Sequence, residues 1–245
     1  MKVLLVGHTG TLGKILLAGL QDKSVEVIRA SRSAGDYRVE IADPESIRTL
    51  FSEIGTVDAI ISAAGSTVFK PFAELTPEEN QRSIDSKLQG QVNLVLIGQH
   101  YLTEGGSITL TSGIIQDEFI PMGTSSALVN GAIGAFVASA ALEIGRGIRI
   151  NAVSPNALAG SWETYAPSFQ GFLPVADEKV FAAYEKISFW YHDRTDLYCL
   201  LKPSLAKKSR QKKQILLAAF WFTKQVVGEY QASFGVDSFL RKSHP

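Results

Sequence analysis

The stretch Val3-Leu4-Leu5-Val6-Gly7-His8-Thr9-Gly10-Thr11-Leu12-Gly13 decides how this chain reads. Four apolar residues predict a buried strand, and Lys14 to Leu20 continue as a helix, so three glycines fall on a strand-to-helix turn. Glycine permits a tight bend and lets the backbone approach a ligand closely. The first helical turn then offers unpaired N–H groups and the positive end of its dipole to a pyrophosphate. Gly7, Gly10 and Gly13, with Thr9, Thr11 and Leu12 between them, are therefore candidate cofactor contacts.

Outward from that turn, strand and helix signals alternate. Strands are predicted at Val25–Ala30, Tyr37–Ile41, Val57–Ser62, Ser107–Thr111 and Ile148–Val153. One helix opens at Asp43-Pro44, an N-cap acid followed by proline at the first helical position. A longer helix opens at Thr76-Pro77-Glu78-Glu79 and is expected to run to about Leu102; another spans about Gly123 to Ile144. Such alternation implies right-handed βαβ units and a mostly parallel sheet covered on both faces. Ligands of such sheets lie beyond the carboxyl ends of the strands, so the loops after those strands should line one cleft.

Composition narrows the function. The 245 residues are 45% hydrophobic and carry no formal net charge, which gives no reason to expect a nucleic-acid partner. One cysteine, Cys199, excludes an internal disulfide, and four scattered histidines show no metal-ligand spacing. No leader precedes the first strand and no apolar stretch is read as a membrane span, so the expected location is the cytoplasm.

From Met1 to about Lys186 the chain resembles the short-chain dehydrogenase/reductase family. The resemblance rests on the G-x-x-G-x-x-G spacing of atypical members, on Ala63-Ala64-Gly65, on Thr111-Ser112-Gly113, and on Arg149-Ile150-Asn151-Ala152-Val153-Ser154-Pro155. It implies a single Rossmann-type α/β domain with a doubly wound parallel sheet over residues 1–186. It also implies a nicotinamide cofactor, hydride transfer at a carbonyl or alcohol, and cofactor contacts at Ala63, Ala64, Gly65 and Pro155. An NAD site usually ends its second strand with an acid for the ribose hydroxyls. Here Ser31-Arg32-Ser33 stands there instead, a guanidinium fork between two hydroxyls that suits a 2′-phosphate, so NADP(H) is expected ahead of NAD(H). Glu40 and Ile41 fall where the family contacts the adenine.

The expected active centre departs from the family pattern. Ser112 matches the family serine, but Ser126 stands at the tyrosine position, Asn130 at the lysine position and Lys87 at the asparagine position. A serine hydroxyl is a far weaker acid than a phenol, and general acid catalysis contributes roughly 10²–10⁴-fold. Either Lys87 replaces the missing donor, its ammonium acidified by burial, or it is a helix-surface charge. Ser112, Ser126, Asn130 and Lys87 form the candidate catalytic quartet, and a non-catalytic NADP(H)-binding or sensor protein is the alternative. The loop from Asn156 to Pro174, with Trp162, Tyr165, Phe169 and Phe172, should cover the substrate side. Small side chains from Gly131 to Ala141 mark the helix that forms the dimer face in the family, implying a homodimer or homotetramer.

Residues 187–245 break the pattern. They carry 10 basic and 4 acidic side chains, and 10 of the 23 aromatics. The basic cluster Lys207–Lys213 precedes an apolar run at Ile215–Phe222. An unselected extension is the favoured reading, ahead of a membrane-surface or partner-binding segment.

Overall fold

A computed structural model of the chain describes residues 1–190; the expectations for Tyr191 and everything after it lie outside the described residues. Six parallel strands form one sheet in the order β3-β2-β1-β4-β5-β6: β1 Lys2–Val6, β2 Glu26–Ser31, β3 Tyr37–Arg38, β4 Val57–Ser62, β5 Leu102–Thr111 and β6 Arg149–Val153. Register runs from Lys2 opposite Glu26 on one side of β1 and from Val3 opposite Ala59 on the other. The strand order therefore reverses at β1, and a ligand crevice opens between the ends of β1 and β4. This is the Rossmann-type architecture that the alternating pattern implies.

Strand side chains alternate between faces, and each face is covered. Leu4, Val6 and Ile60 join one core beneath α2 (Pro44–Ile54), α4 (Gly90–Gly98) and α5 (Thr124–Glu143). Val3, Leu5 and Ile61 join the other, beneath α1 (Thr11–Gln21) and α7 (Asp177–Glu185). Helix starts follow the expected caps. The Asp43 carboxylate accepts from the Glu45 N–H at 2.9 Å, and Thr76 with Glu79 closes a reciprocal capping box on α3 (Pro77–Ser83).

The structure departs from the expected pattern at several points. The third strand ends at Arg38 rather than Ile41. The segment just beyond is held from its other side, where the Asn93 amide donates to the Ile41 carbonyl at 3.2 Å. The long helix is interrupted: a π-helical segment, Ile84–Gln89, separates α3 from α4, and a 3₁₀ turn follows α4. The described chain continues past Lys186 as a π-helical segment to Trp190, with Ile187 and Ser188 buried against the sheet. Finally, α5 is long and apolar enough to cross a membrane, with a mean hydropathy of 1.5, although no such span was read from the sequence. Its residues Val129, Ile133 and Val137 instead pack into the core of the sheet.

Candidate active site

The glycine turn is built by close approach. Gly7 has φ +88°, and a Cβ there would lie 2.7 Å from the Ala64 nitrogen at the end of β4. A Cβ on Gly13 would collide with the Gly7 carbonyl, so Gly13 seats α1 on the turn and lies on neither cavity of the cleft. Gly10 differs: its Cβ would meet only the Gly7 carbonyl, at 3.8 Å. It is the N-cap of α1 and supplies no side-chain cap, leaving the helix's first N–H groups free for an anion.

Two cavities line the strand ends. The first, about 230 Å³, is bordered by Gly7, Thr9, Gly10, Ser31, Arg32, Ser33, Glu40 and Ile41. The second, about 560 Å³, takes in Thr11, Leu12, Lys87, Ser112, Ser126, Asn130 and Pro155. Ala63, Ala64, Gly65 and Ser66 border both, so the two are halves of one trench.

At the first cavity the side chains are not placed as the sequence suggests. The Ser31 hydroxyl is buried and turned inward, donating to the Ala34 carbonyl at 2.7 Å and accepting from its N–H at 3.0 Å. It is not a free donor. Glu40 approaches Arg32 at 3.8 Å while its other carboxylate oxygen accepts from the Ala42 N–H at 3.1 Å. An acid therefore faces the cation proposed for a 2′-phosphate, although none stands at the strand end itself. Arg32 is 78% exposed in its side chain, which leaves it free to turn toward a ligand.

The second cavity owes its shape to the π-helical segment. A π turn inserts one residue into a helix and often marks a functional position. Lys87 sits within it, and Gly65 (φ +101°) makes room, since a Cβ there would lie 2.7 Å from the Lys87 Cα. The Lys87 ammonium donates to the Ser112 carbonyl at 3.0 Å rather than to Ser126 or Asn130. Burial pushes its pKa down to about 8, because a charge loses water's solvation there. Among the described residues no Asp or Glu borders this cavity, and Lys87 is the one charged side chain on its wall. Gln91 fixes the floor: its amide exchanges two hydrogen bonds with the backbone of Thr111, both at 2.9 Å, just before Ser112.

Ser126 and Asn130 stand one turn apart on α5, and the Asn130 amide donates to the Ser126 oxygen at 3.2 Å. The Asn130 carbonyl oxygen is buried and has no partner among the described residues. Leaving such an acceptor unmatched costs about 1–3 kcal/mol. The Ser112 hydroxyl makes only a long bond, 3.4 Å, to the Val153 carbonyl. Tyr165 and Phe169 border the cavity as expected, whereas Trp162 and Phe172 pack against the cluster of Ile114, Ile115, Ala157 and Phe169. Ser66, Thr67 and Phe69 also line it and were not singled out in the sequence. The rule that ligands lie beyond strand ends was the available signal, because all three follow β4.

A family model described as Enoyl-(Acyl carrier protein) reductase matches residues 13–183, over the same elements that build this trench. The chain belongs to the short-chain dehydrogenase/reductase family. Among solved members, the protein lin1944 from Listeria innocua is 51% identical, with a TM-score of 0.75 over 78% of this chain and 94% of that one. A small-chain dehydrogenase in complex with NADPH is 28% identical, with a TM-score of 0.65 over 75% and 89%. Among curated members, versicolorin reductase 1 of Aspergillus parasiticus is 31% identical over 144 residues, 56% of this chain. The hydroxynaphthalene reductase-like protein Arp2 of Metarhizium brunneum is 27% identical over 172 residues, 65% of this chain. The chain spans 55% and 64% of the lengths of these two curated relatives.

Proposed function

We propose that this short-chain dehydrogenase/reductase is an NADP(H)-dependent oxidoreductase acting on a carbonyl or alcohol, in which Lys87 supplies the proton. The observation that carries the reading is Lys87 itself, the lone charge among the described residues on the wall of the second cavity, with its ammonium made acidic by burial. The chain fits a dinucleotide by its shape. The uncapped start of α1 at Gly10 would hold the pyrophosphate, and Arg32 with Ser33 would hold a 2′-phosphate. The relative solved with NADPH supports that choice. When bound, the nicotinamide supplies or accepts the hydride.

Within the second cavity the chain's own groups do the rest. Ser126 uses its oxygen to accept from Asn130, which leaves its hydroxyl proton to orient a substrate carbonyl. As the carbonyl carbon gains hydride, its oxygen becomes basic. An N–H bond of the Lys87 ammonium then breaks, the proton passes to that oxygen, and the neutral amine recovers a proton from water. The Ser112 carbonyl holds the amine throughout. Tyr165 and Phe169 exclude water from one side.

A second reading, a non-catalytic NADP(H) binder, is favoured by Ser126 and Asn130 standing where the family carries tyrosine and lysine. One experiment separates the two. NADPH binding is measured by cofactor fluorescence, and NADPH oxidation is then followed over a panel of aldehydes, ketones and quinones. The enzyme reading expects turnover that Lys87→Met abolishes without loss of NADPH binding. Binding with no turnover on any compound supports the sensor reading.

We also propose that the protein works as a homo-oligomer paired through α5. Leu128 and Leu142 are exposed on that helix, and a Cβ on Gly131 would meet open space, so the fold of one subunit does not require glycine there.

A further inference from the structure

The orphaned oxygen of Asn130 says what the substrate carries beside its carbonyl. Asn130 is 1% exposed, borders the second cavity, and spends one amide N–H on Ser126. Its carbonyl oxygen has no partner among the described residues. Gly113 leaves the space in which that amide sits, since a Cβ there would lie 2.9 Å from the Asn130 nitrogen. A buried acceptor on a residue that lines a cavity can be matched by a donor that arrives with the ligand. Lys87 and the Ser126 hydroxyl, by contrast, present donors and are matched by a carbonyl. The apolar remainder of the wall, including Ile114, Tyr165 and Phe169, takes a flat hydrocarbon body.

We infer that the substrates of this site are apolar, ring-bearing carbonyl compounds with a hydroxyl or N–H on an atom next to the carbonyl, and that Asn130 reads this donor. The inference rests on the oxidoreductase reading for the identity of the reacting group. Asn130 is here a specificity-determining residue, because it contacts the part of the substrate that does not react.

The test is a calorimetric titration of the full chain loaded with NADP⁺, with NADPH absorbance followed in parallel so that heat from oxidation of a probe alcohol is recognised and excluded. The probes are phenacyl alcohol, its O-methyl ether and acetophenone. Phenacyl alcohol is expected to bind at least about tenfold tighter than the other two. Asn130→Leu should bring that ratio to about one while NADP⁺ affinity holds. Gly113→Ala, which pushes the amide aside, should lower the ratio in the same direction. Ser126→Ala should weaken all three probes together. Equal binding of the probes, a preference that survives Asn130→Leu, or no binding of any probe to NADP⁺-loaded protein would overturn the inference. If NADP⁺ itself does not bind, the oxidoreductase reading fails, and the same titration on the cofactor-free chain still decides the preference.

Discussion

At residue 87 stability and chemistry pull in opposite directions. A lysine amine whose pKa falls from 10.5 to about 8 costs the folded state free energy wherever both states are charged, that is, below about pH 8. Between about 8 and 10.5 the unfolded chain binds more protons, so stability should rise with pH across that window. Lys87→Met should flatten this rise and stabilise the protein at neutral pH by roughly 1–3 kcal/mol, as read by denaturant midpoints. The same variant should lose carbonyl reduction. Parent turnover should hold below about pH 8 and fall above it, because the proton donor must be charged. A rate indifferent to pH between about 6 and about 9.5, and to Lys87→Met, would remove the lysine from the mechanism. Arg32 and Glu40 give a second prediction. Arg32→Ala should cut NADPH affinity about tenfold or more and leave NADH nearly unchanged. Glu40→Gln should tighten NADPH, since it frees a guanidinium now 3.8 Å from a carboxylate. Equal affinities for the two cofactors in the parent would sink both assignments. The identities of these residues were legible in the chain, but their partners were not. Nothing in Ser31-Arg32-Ser33 announces that Ser31 turns inward to Ala34, or that Glu40, eight positions from Arg32, folds back beside it.

The elements were read most easily where a local signal acts alone. Asp43-Pro44 and Thr76-Pro77 start helices because capping and proline geometry are decided within four residues. β4 has the expected bounds because Val57, Ala59, Ile60 and Ile61 give an apolar run, broken at Asp58, that ends in small residues. The π-helical segment Ile84–Gln89 has no such signal. It arises from packing against Gly65 and Ile41, where a Cβ on Gly65 or on Gly90 would collide with the facing residue. The glycine turn lies between these cases, and its three glycines do different work. Gly13→Ala should destabilise the fold by roughly 1–3 kcal/mol, because its methyl meets a backbone carbonyl that cannot yield. Gly10→Ala should keep or slightly raise the melting temperature, since its φ of −75° suits alanine. It should nevertheless weaken cofactor binding, because the methyl enters the cavity at the start of α1. Equal stability losses in the two variants would mean that the turn is not built as described.

For the whole molecule, subunit pairing and the chain's far end are separable questions. Gly131→Arg places a bulky cation on the exposed face of α5 without touching the core, so it should turn a dimer into a monomer by light scattering at unchanged melting temperature. A parent that is already monomeric removes that proposal. The far end is decided by Ile187 and Ser188. The Ser188 carbonyl accepts from the Ser107 hydroxyl at 2.9 Å and from Arg149 at 3.0 Å, and its hydroxyl meets Thr109 at 2.9 Å. The Ile187 carbonyl accepts from Arg149 at 2.7 Å, while its side chain, 1% exposed, packs among Val180, Ala183 and Tyr184. The loss of family pattern after Lys186 hides these contacts, because they depend on backbone carbonyls and one small hydroxyl rather than on a recognisable motif. Two truncations make the difference measurable. Ending the chain after Trp190 keeps every one of these bonds and should preserve NADPH affinity and the melting temperature. Ending it after Lys186 removes a buried isoleucine, worth about 2–5 kcal/mol, and strands the hydroxyls of Ser107 and Thr109 and the Arg149 guanidinium. That shorter chain should unfold at a clearly lower denaturant concentration and aggregate. If instead the chain ending at Trp190 also loses its fold or its cofactor, residues 191–245 carry part of the domain's stability, and reading them as an unselected extension is wrong.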